Sequence, residues 1–127
     1  MVQRQDHIVV VEPDDLIRGL LERWLGEAGY TVAVEALRDS SAPRMRHATP
    51  HLVIADVPTP RSAEGLIQFL REEYASPILI VSARLRRGLE TSDEIARRLG
   101  VRRVLPKPFS RKELLTAVEE SMNRGGD

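Results

Sequence analysis

The chain has 127 residues, of which 42% are hydrophobic and 30% are charged. These values are typical of a soluble globular domain that buries a sizeable core, and they exclude a disordered or fibrous chain. The absence of cysteine excludes disulfides and thiolate chemistry, and it suits the reducing cytoplasm, where we expect the protein. No apolar run approaches the roughly 20 residues that cross a bilayer, and Met1–Asp6 contains no apolar segment, so we expect neither a membrane span nor a secretory signal.

The five predicted strands are short apolar runs separated by helix-like segments. This alternation predicts an α/β fold with a parallel sheet. The first run is rich in β-branched residues, which is typical of a strand buried on both faces. In chain order the predicted strands are His7–Val11, Tyr30–Ala36, His51–Ala55, the run that Pro77 opens, and Val101–Leu105.

The predicted helices are marked by apolar residues at helical spacing and by capping residues. The first follows Asp14 or Asp15, carries apolar residues from Leu16 to Ala28, and ends at Gly29. The second is short and lies between Arg38 and Thr49, and the third runs from about Ala63 to Tyr74. Capping boxes at Thr91–Glu94 and Ser110–Glu113 open the fourth helix, which ends at Leu99 before Gly100, and the last helix.

Three of the apolar strands stop at a single polar residue, which is Asp56, Ser82 or Lys107. Because the carboxyl ends of parallel strands share one edge of a sheet, we expect these side chains to meet there. A carboxylate, a hydroxyl and an ammonium together supply an acceptor, a hydrogen-bond donor and a counter-charge for a phosphoryl group. Taken singly, each residue also has a structural explanation, as a helix cap, a backbone hydrogen-bonding group or a solvated turn.

Five β/α units with Asp56, Ser82 and Lys107-Pro108-Phe109 at the ends of strands three, four and five resemble the CheY-like response-regulator receiver family, over nearly the whole chain. The resemblance implies a flavodoxin-like (βα)5 three-layer sandwich with the parallel strand order 2-1-3-4-5. We expect one receiver domain over residues 1–127, with a core at about 6–123 and a tail or the start of a linker at 124–127.

The resemblance also implies roles for individual residues. Asp56 corresponds to the phosphoacceptor, Ser82 to the switch hydroxyl, and Lys107 to the lysine that contacts the phosphoryl group. The Lys107–Pro108 bond is expected to be cis, as in the family, against a base rate of about 5–6% for X-Pro bonds. Receivers bind Mg²⁺ beside the acceptor, and the candidate ligands here are Glu12, Asp56 and the backbone carbonyl of Pro58.

Three departures from the family pattern make this chain an atypical member, and one of them is a loop after Asp56 that is longer by one residue, with Gly65 one position late. The acidic pair after strand one falls on Glu12 and Pro13, and Pro13 lacks the side-chain oxygen that the second position normally gives to the metal. Mg²⁺ demands octahedral oxygen ligands at short distances, so we expect its binding to be weakened or lost. On strand five, Val104 stands where the family usually carries an aromatic switch residue.

Two functions remain open from the sequence. The first is a receiver that accepts a phosphoryl group from a histidine kinase or a phosphotransfer protein on Asp56, and relays it by conformational change to a partner or output domain. The second is a degenerate receiver that acts as a phosphorylation-independent interaction or dimerisation module. In neither case do we expect an enzyme. A flavodoxin-like nucleotide-binding or flavin-binding domain is disfavoured because no glycine-rich phosphate loop follows strand one.

The chain has a formal net charge of zero, but Arg84 to Lys112 holds ten basic residues against three acidic ones. In the receiver fold, most of this segment lies on the surface of the fourth helix, the fifth strand and the last helix. We expect a partner or a second copy to bind this surface at Arg97, Arg98, Arg102 and Arg103, unless these charges only form local ion pairs. We expect no nucleic-acid binding within this chain, because there is no helix-turn-helix segment and no aromatic residue interleaves with the arginines.

Overall fold

The structure is a computed structural model that describes residues 6–35, 49–83 and 90–123. Five strands form one parallel sheet, and the helices that connect them cover both of its faces. In chain order the elements are β1 (His7–Val11), α1 (Asp15–Glu27), β2 (Thr31–Val34), β3 (Leu52–Asp56), α2 (Pro60–Glu73), β4 (Ile78–Ser82), α3 (Ser92–Leu99), β5 (Arg103–Pro106) and α4 (Arg111–Met122).

The strand order is β2-β1-β3-β4-β5, and every neighbouring pair is parallel. The predicted flavodoxin-like arrangement is therefore confirmed. The register aligns Asp56 of β3 with Val81 of β4, and Ser82 of β4 with Pro106 of β5. The polar ends of the three strands consequently lie at the same edge of the sheet.

The sheet separates two apolar clusters, because alternate residues of each strand point to opposite faces. On β1, Ile8 and Val10 belong to the cluster that contains residues of α1 and α4, whereas Val9 and Val11 belong to the cluster that contains residues of α2 and α3. All four are buried. The central strands are apolar on both faces because helices cover both faces, which gives three layers.

The helix starts are fixed by side-chain caps. Asp14 accepts hydrogen bonds from the backbone N–H groups of Leu16 and Ile17 and so caps α1. The helix α2 begins at Pro60 rather than at the predicted Ala63, because Thr59 caps it and proline is well suited to a first turn. Both predicted capping boxes are present, at the starts of α3 and α4.

Other strand and helix bounds differ from the predicted ones by one or two residues. The predicted second helix, between Arg38 and Thr49, lies almost entirely outside the described residues, so the predicted fourth and last helices are α3 and α4 here. The apolar pattern of the first helix also overstated its buried face, since Leu16 is 81% exposed and Leu20 is 40% exposed. None of the helices in the described ranges has the length and apolar character needed to cross a membrane.

Candidate functional site

Lys107 joins two carboxylates at the carboxyl edge of the sheet. Its Nζ donates a hydrogen bond of 2.7 Å to Oδ1 of Asp56 and lies 3.0 Å from Oε1 of Glu12. The chain reaches this arrangement because Glu12 directly follows β1, Asp56 ends β3, and Lys107 directly follows β5. All three side chains are largely shielded, with Lys107 15% exposed, Asp56 11% and Glu12 1%.

One carboxylate oxygen of Glu12 accepts a hydrogen bond, and the other makes none. Its Oε2 accepts a hydrogen bond of 3.1 Å from the backbone N–H of Asp14, in the turn that leads into α1. Its Oε1 is buried and pairs with Lys107 by charge alone, because the contact does not have hydrogen-bond geometry. A buried carboxylate oxygen without a hydrogen bond needs a nearby cation, and Lys107 provides it.

Burial and ion pairing shift the pKa of Lys107 in opposite directions. Desolvation is the largest single influence and lowers the pKa of the ammonium group. The hydrogen bond with Asp56 and the close contact with Glu12, together with the negative charges of both carboxylates, outweigh desolvation, so the pKa of Lys107 is raised above its ordinary value. Lys107 is therefore a permanent positive charge in this site at any physiological pH.

Ser82 lies at the end of the neighbouring strand and is 3% exposed. Its Oγ donates a hydrogen bond of 2.7 Å to the backbone carbonyl of Val57, the residue after Asp56. Its own carbonyl accepts a hydrogen bond of 3.0 Å from the backbone N–H of Lys107. Ser82 thus connects the segment that carries the carboxylate to the segment that carries the ammonium.

The segment after Lys107 packs against the first helix. The Lys107–Pro108 peptide bond is cis. The next residue, Phe109, meets the ring of Trp24 on α1 edge to face, with the ring centroids 6.5 Å apart. Trp24 is the only tryptophan of the chain, so its fluorescence is a reporter of this part of the molecule.

Arg18 is a residue at the margin of the site whose contacts the sequence pattern did not predict. Its Nη1 donates a hydrogen bond of 3.3 Å to the backbone carbonyl of Glu12, and its Nη2 pairs with Asp15 one turn earlier on α1. These contacts hold the first turn of α1 against the end of β1. The spacing of Asp15 and Arg18 was the available signal, since residues three apart face each other on a helix.

As arranged here, the site does not fit a divalent cation. Pro13 has no side-chain oxygen, and the Asp14 carboxylate caps α1 instead of pointing to the site. The Lys107 ammonium already contacts both remaining carboxylates, Glu12 and Asp56. In the part of the chain that the structure describes, no group of three or more histidine, cysteine or acidic side chains is placed to hold a metal. Pro58, the third candidate ligand, is an exposed residue of the loop before α2.

On β5, Val104 is buried, being 5% exposed, and it belongs to the cluster that packs under α2 and α3. A short branched side chain enclosed in this way has no exposed alternative position comparable to a ring that swings outward. Val104 is therefore a core residue in this structure.

Three of the four arginines at α3, at β5 and in the turn between them make ion pairs or hydrogen bonds. Arg98 forms a two-pronged ion pair with Glu90, with both distances 3.0 Å. Arg103 lies 3.3 Å from Asp93 and 3.0 Å from Glu120. Arg102 donates to the backbone carbonyls of Ser121 and Asn123 at the end of α4. Arg97 is exposed. Local pairing thus neutralises part of the basic surface, and exposed pairs of this kind contribute about 0–1 kcal/mol each.

Comparisons with known proteins agree with this architecture. The family model described as "Response regulator receiver domain" matches residues 8–119. The chain is 35% identical over 122 residues to Protein PetR of Rhodobacter capsulatus, covering 93% of this chain and 49% of that protein. It is 30% identical over 123 residues to a probable transcriptional regulator, ycf27, of Porphyridium aerugineum, covering 95% of this chain and 50% of the regulator.

The chain therefore spans about half the length of these curated relatives. Among solved structures, a response regulator from Thermotoga maritima superposes with a TM-score of 0.71 at 21% identity, over 94% of this chain and 98% of that one, which supports the fold. The family model covers most of the chain, and the two curated relatives match nearly all of it. The chain belongs to the response regulator receiver domain family of two-component signalling.

Proposed function

We propose that this receiver domain accepts a phosphoryl group from a histidine kinase or a phosphotransfer protein on Asp56. The observation that carries the proposal is the 2.7 Å contact between Lys107 Nζ and Asp56 Oδ1 at the carboxyl edge of the sheet. A shielded carboxylate paired with a permanent cation matches the requirement of in-line phosphoryl transfer, in which negative charge on the transferred oxygens must be balanced.

In the proposed step, a carboxylate oxygen of Asp56 attacks the phosphorus of a phosphohistidine. The O–P bond to Asp56 forms while the P–N bond to the donor breaks, and the donor imidazole leaves with the bonding electron pair. Lys107 neutralises the phosphoryl oxygens and the carboxylate. Ser82 gives up its hydrogen bond with Val57 and donates to a phosphoryl oxygen. The domain is a substrate of the donor and has no enzymatic turnover of its own.

Receiver domains generally bind Mg²⁺ at the phosphorylation site. We infer that this chain binds Mg²⁺ weakly or not at all, because Pro13 removes one carboxylate and Lys107 occupies the other two. No step above depends on the ion.

A protein donor is supported by the surface beside the pocket. Leu16 and Leu20 lie one turn apart on α1 and are both exposed, and α1 begins immediately after the turn that carries Glu12. Exposed apolar side chains that share a helix face are typical of a contact surface for another protein. We infer that the kinase or phosphotransfer protein contacts this end of α1 while its histidine reaches Asp56.

The output is proposed to pass through the surface of α3, β5 and α4, where Arg97, Arg98, Arg102 and Arg103 lie. On this surface, acidic groups of a partner or a second copy can replace Glu90, Asp93 or Glu120 as the ion-pair partners of the arginines. The curated relatives are about twice as long as this chain, which supports an output domain as the receiving partner. We place these events in the cytoplasm and assign no nucleic-acid binding to these residues.

The test is treatment of the protein with acetyl phosphate, followed by intact-mass measurement. We expect a single phosphoryl adduct on the wild type and none on Asp56→Asn, which keeps the shape of the side chain. If the wild type also gains no adduct, with or without MgCl2, the chain does not accept phosphoryl groups. The alternative function then stands, a degenerate receiver that binds partners without phosphorylation, which the missing carboxylate at Pro13 favours.

A further inference from the structure

The pocket contains a cation from its own chain. The Lys107 ammonium lies 2.7 Å from Asp56 and 3.0 Å from Glu12, so it bridges carboxylates that come from two neighbouring strands. Asp56 is 51 positions and Glu12 is 95 positions from Lys107 in the sequence, and the tertiary fold alone brings them together. The Lys107 side chain is 15% exposed, so solvent ions screen its charge only weakly.

The charge count of the pocket supports a structural role for this cation. Two carboxylates and one ammonium leave a net charge of −1, and neither Pro13 nor the helix-capping Asp14 adds a carboxylate to the site. A divalent ion between Glu12 and Asp56 would need the ammonium to withdraw from at least one of them. A turn of Glu12 toward an alternative position would break the hydrogen bond that its second oxygen accepts from the backbone N–H of Asp14.

We propose that the Lys107 ammonium takes the bridging place of a divalent ion in this pocket, so that the fold and the conformation of the site are independent of Mg²⁺. The proposal refines the regulation of the site described above, and it rests on the proposed function only for the identity of the pocket. It concerns the unphosphorylated protein, so its test requires no phosphodonor.

The test compares thermal unfolding and Trp24 fluorescence of the 127-residue chain in EDTA and in MgCl2. For the wild type, we expect the same unfolding midpoint and the same fluorescence in both. In Lys107→Met, the two carboxylates lose their bridge, so the midpoint in EDTA falls below that of the wild type. Saturating MgCl2 should then raise the midpoint of this variant by about 5 °C or more, because an ion that binds only the folded state stabilises it.

Lys112→Met is the matched control, since Lys112 is an exposed lysine on the first turn of α4, and no ion pair joins it to Glu12 or Asp56 among the described residues. Its midpoint should stay near that of the wild type and should not respond to MgCl2. If Lys107→Met fails to fold in EDTA, refolding it by adding MgCl2 supports the proposal, and failure to refold contradicts it.

A saturable shift of the wild-type midpoint or fluorescence with MgCl2 would overturn the proposal. A folded Lys107→Met whose unfolding midpoint is the same in EDTA and in MgCl2 would overturn it as well. These outcomes are separate from the phosphorylation result. A chain that forms no adduct on Asp56 can still be insensitive to Mg²⁺, and a chain that forms one can still bind the ion.

Discussion

The hydroxyl of Ser82 donates a 2.7 Å hydrogen bond to the backbone carbonyl of Val57, the residue that follows Asp56. The hydroxyl is thus hydrogen-bonded to the segment that carries the proposed phosphoacceptor, and both Ser82 and Val57 are buried. Any role for Ser82 in binding a phosphoryl oxygen requires this bond to break. The bond therefore sets part of the free-energy difference between the resting and phosphorylated conformations.

Replacing Ser82 by alanine should destabilise the protein by about 1–3 kcal/mol, because the buried Val57 carbonyl loses this donor. The chain offers a matched control in Ser121, which is also fully buried but whose Oγ makes no hydrogen bond. Ser121→Ala should be neutral or stabilising by up to about 1 kcal/mol. Urea unfolding of both variants measures the contrast, and equal losses at the two positions would refute the hydrogen-bond argument.

Pro13→Asp should create Mg²⁺ binding where the wild type has little or none. The new carboxylate would raise the number of acidic side chains at the site to three and would supply a rigid oxygen ligand. Titration with MgCl2, followed by Trp24 fluorescence or calorimetry, should give a saturable signal in this variant and none in the wild type. Pro13→Ala controls for the loss of the proline ring and should not bind the ion. No gain in Pro13→Asp would mean that Glu12 and Pro13 are not the positions of the acidic pair.

Two leucines of α1 should respond very differently to truncation. Leu21 is fully buried, so Leu21→Ala should cost about 2–5 kcal/mol by leaving a cavity. Leu16 is 81% exposed, and Leu16→Ala should change the free energy of unfolding by less than about 0.5 kcal/mol. Chemical denaturation of the two variants provides the measurement. A large loss for Leu16→Ala would show that this residue belongs to the core.

The raised pKa of Lys107 predicts a dependence of stability on alkaline pH. A lysine whose pKa is higher in the folded state contributes stability that is fully present below its unfolded pKa of about 10.4 and is lost as pH rises through the folded value. The difference in unfolding free energy between the wild type and Lys107→Met should therefore be constant from neutral to mildly alkaline pH and should shrink above about pH 10.4. A gap that widens in strong alkali would contradict the sign of the shift.

Local patterns were sufficient to predict much of the fold. The capping boxes at the starts of α3 and α4 involve residues three apart, so their hydrogen bonds follow from the sequence alone. The strand order followed from the family resemblance and is confirmed. The apolar residues of α1 were less informative, because helical spacing does not distinguish a buried leucine such as Leu21 from the exposed Leu16.

Pairing of the basic residues also depended on the fold. Arg103 contacts Asp93 on α3 and Glu120 on α4, which are separated from it by 10 and 17 positions. A count of charges along the chain cannot show this, because the ion pairs form between elements that the sheet places side by side. The sequence predicted a basic surface, and in the described residues ion pairs at Arg98 and Arg103 balance part of it.

The sequence by itself determined that Asp56, Ser82 and Lys107 would lie at one edge of a parallel sheet. Each of them ends or directly follows a strand, and the carboxyl ends of parallel strands share one edge. Only the tertiary structure decided what these side chains contact. Lys107 bridges Asp56 to Glu12, and Ser82 donates a hydrogen bond to the Val57 carbonyl. The register of the strands brings these atoms within hydrogen-bonding distance, whereas a sequence pattern specifies only the edge of the sheet. The lysine that the pattern presented as a phosphoryl contact is, in the folded chain, also the cation that holds two buried carboxylates together.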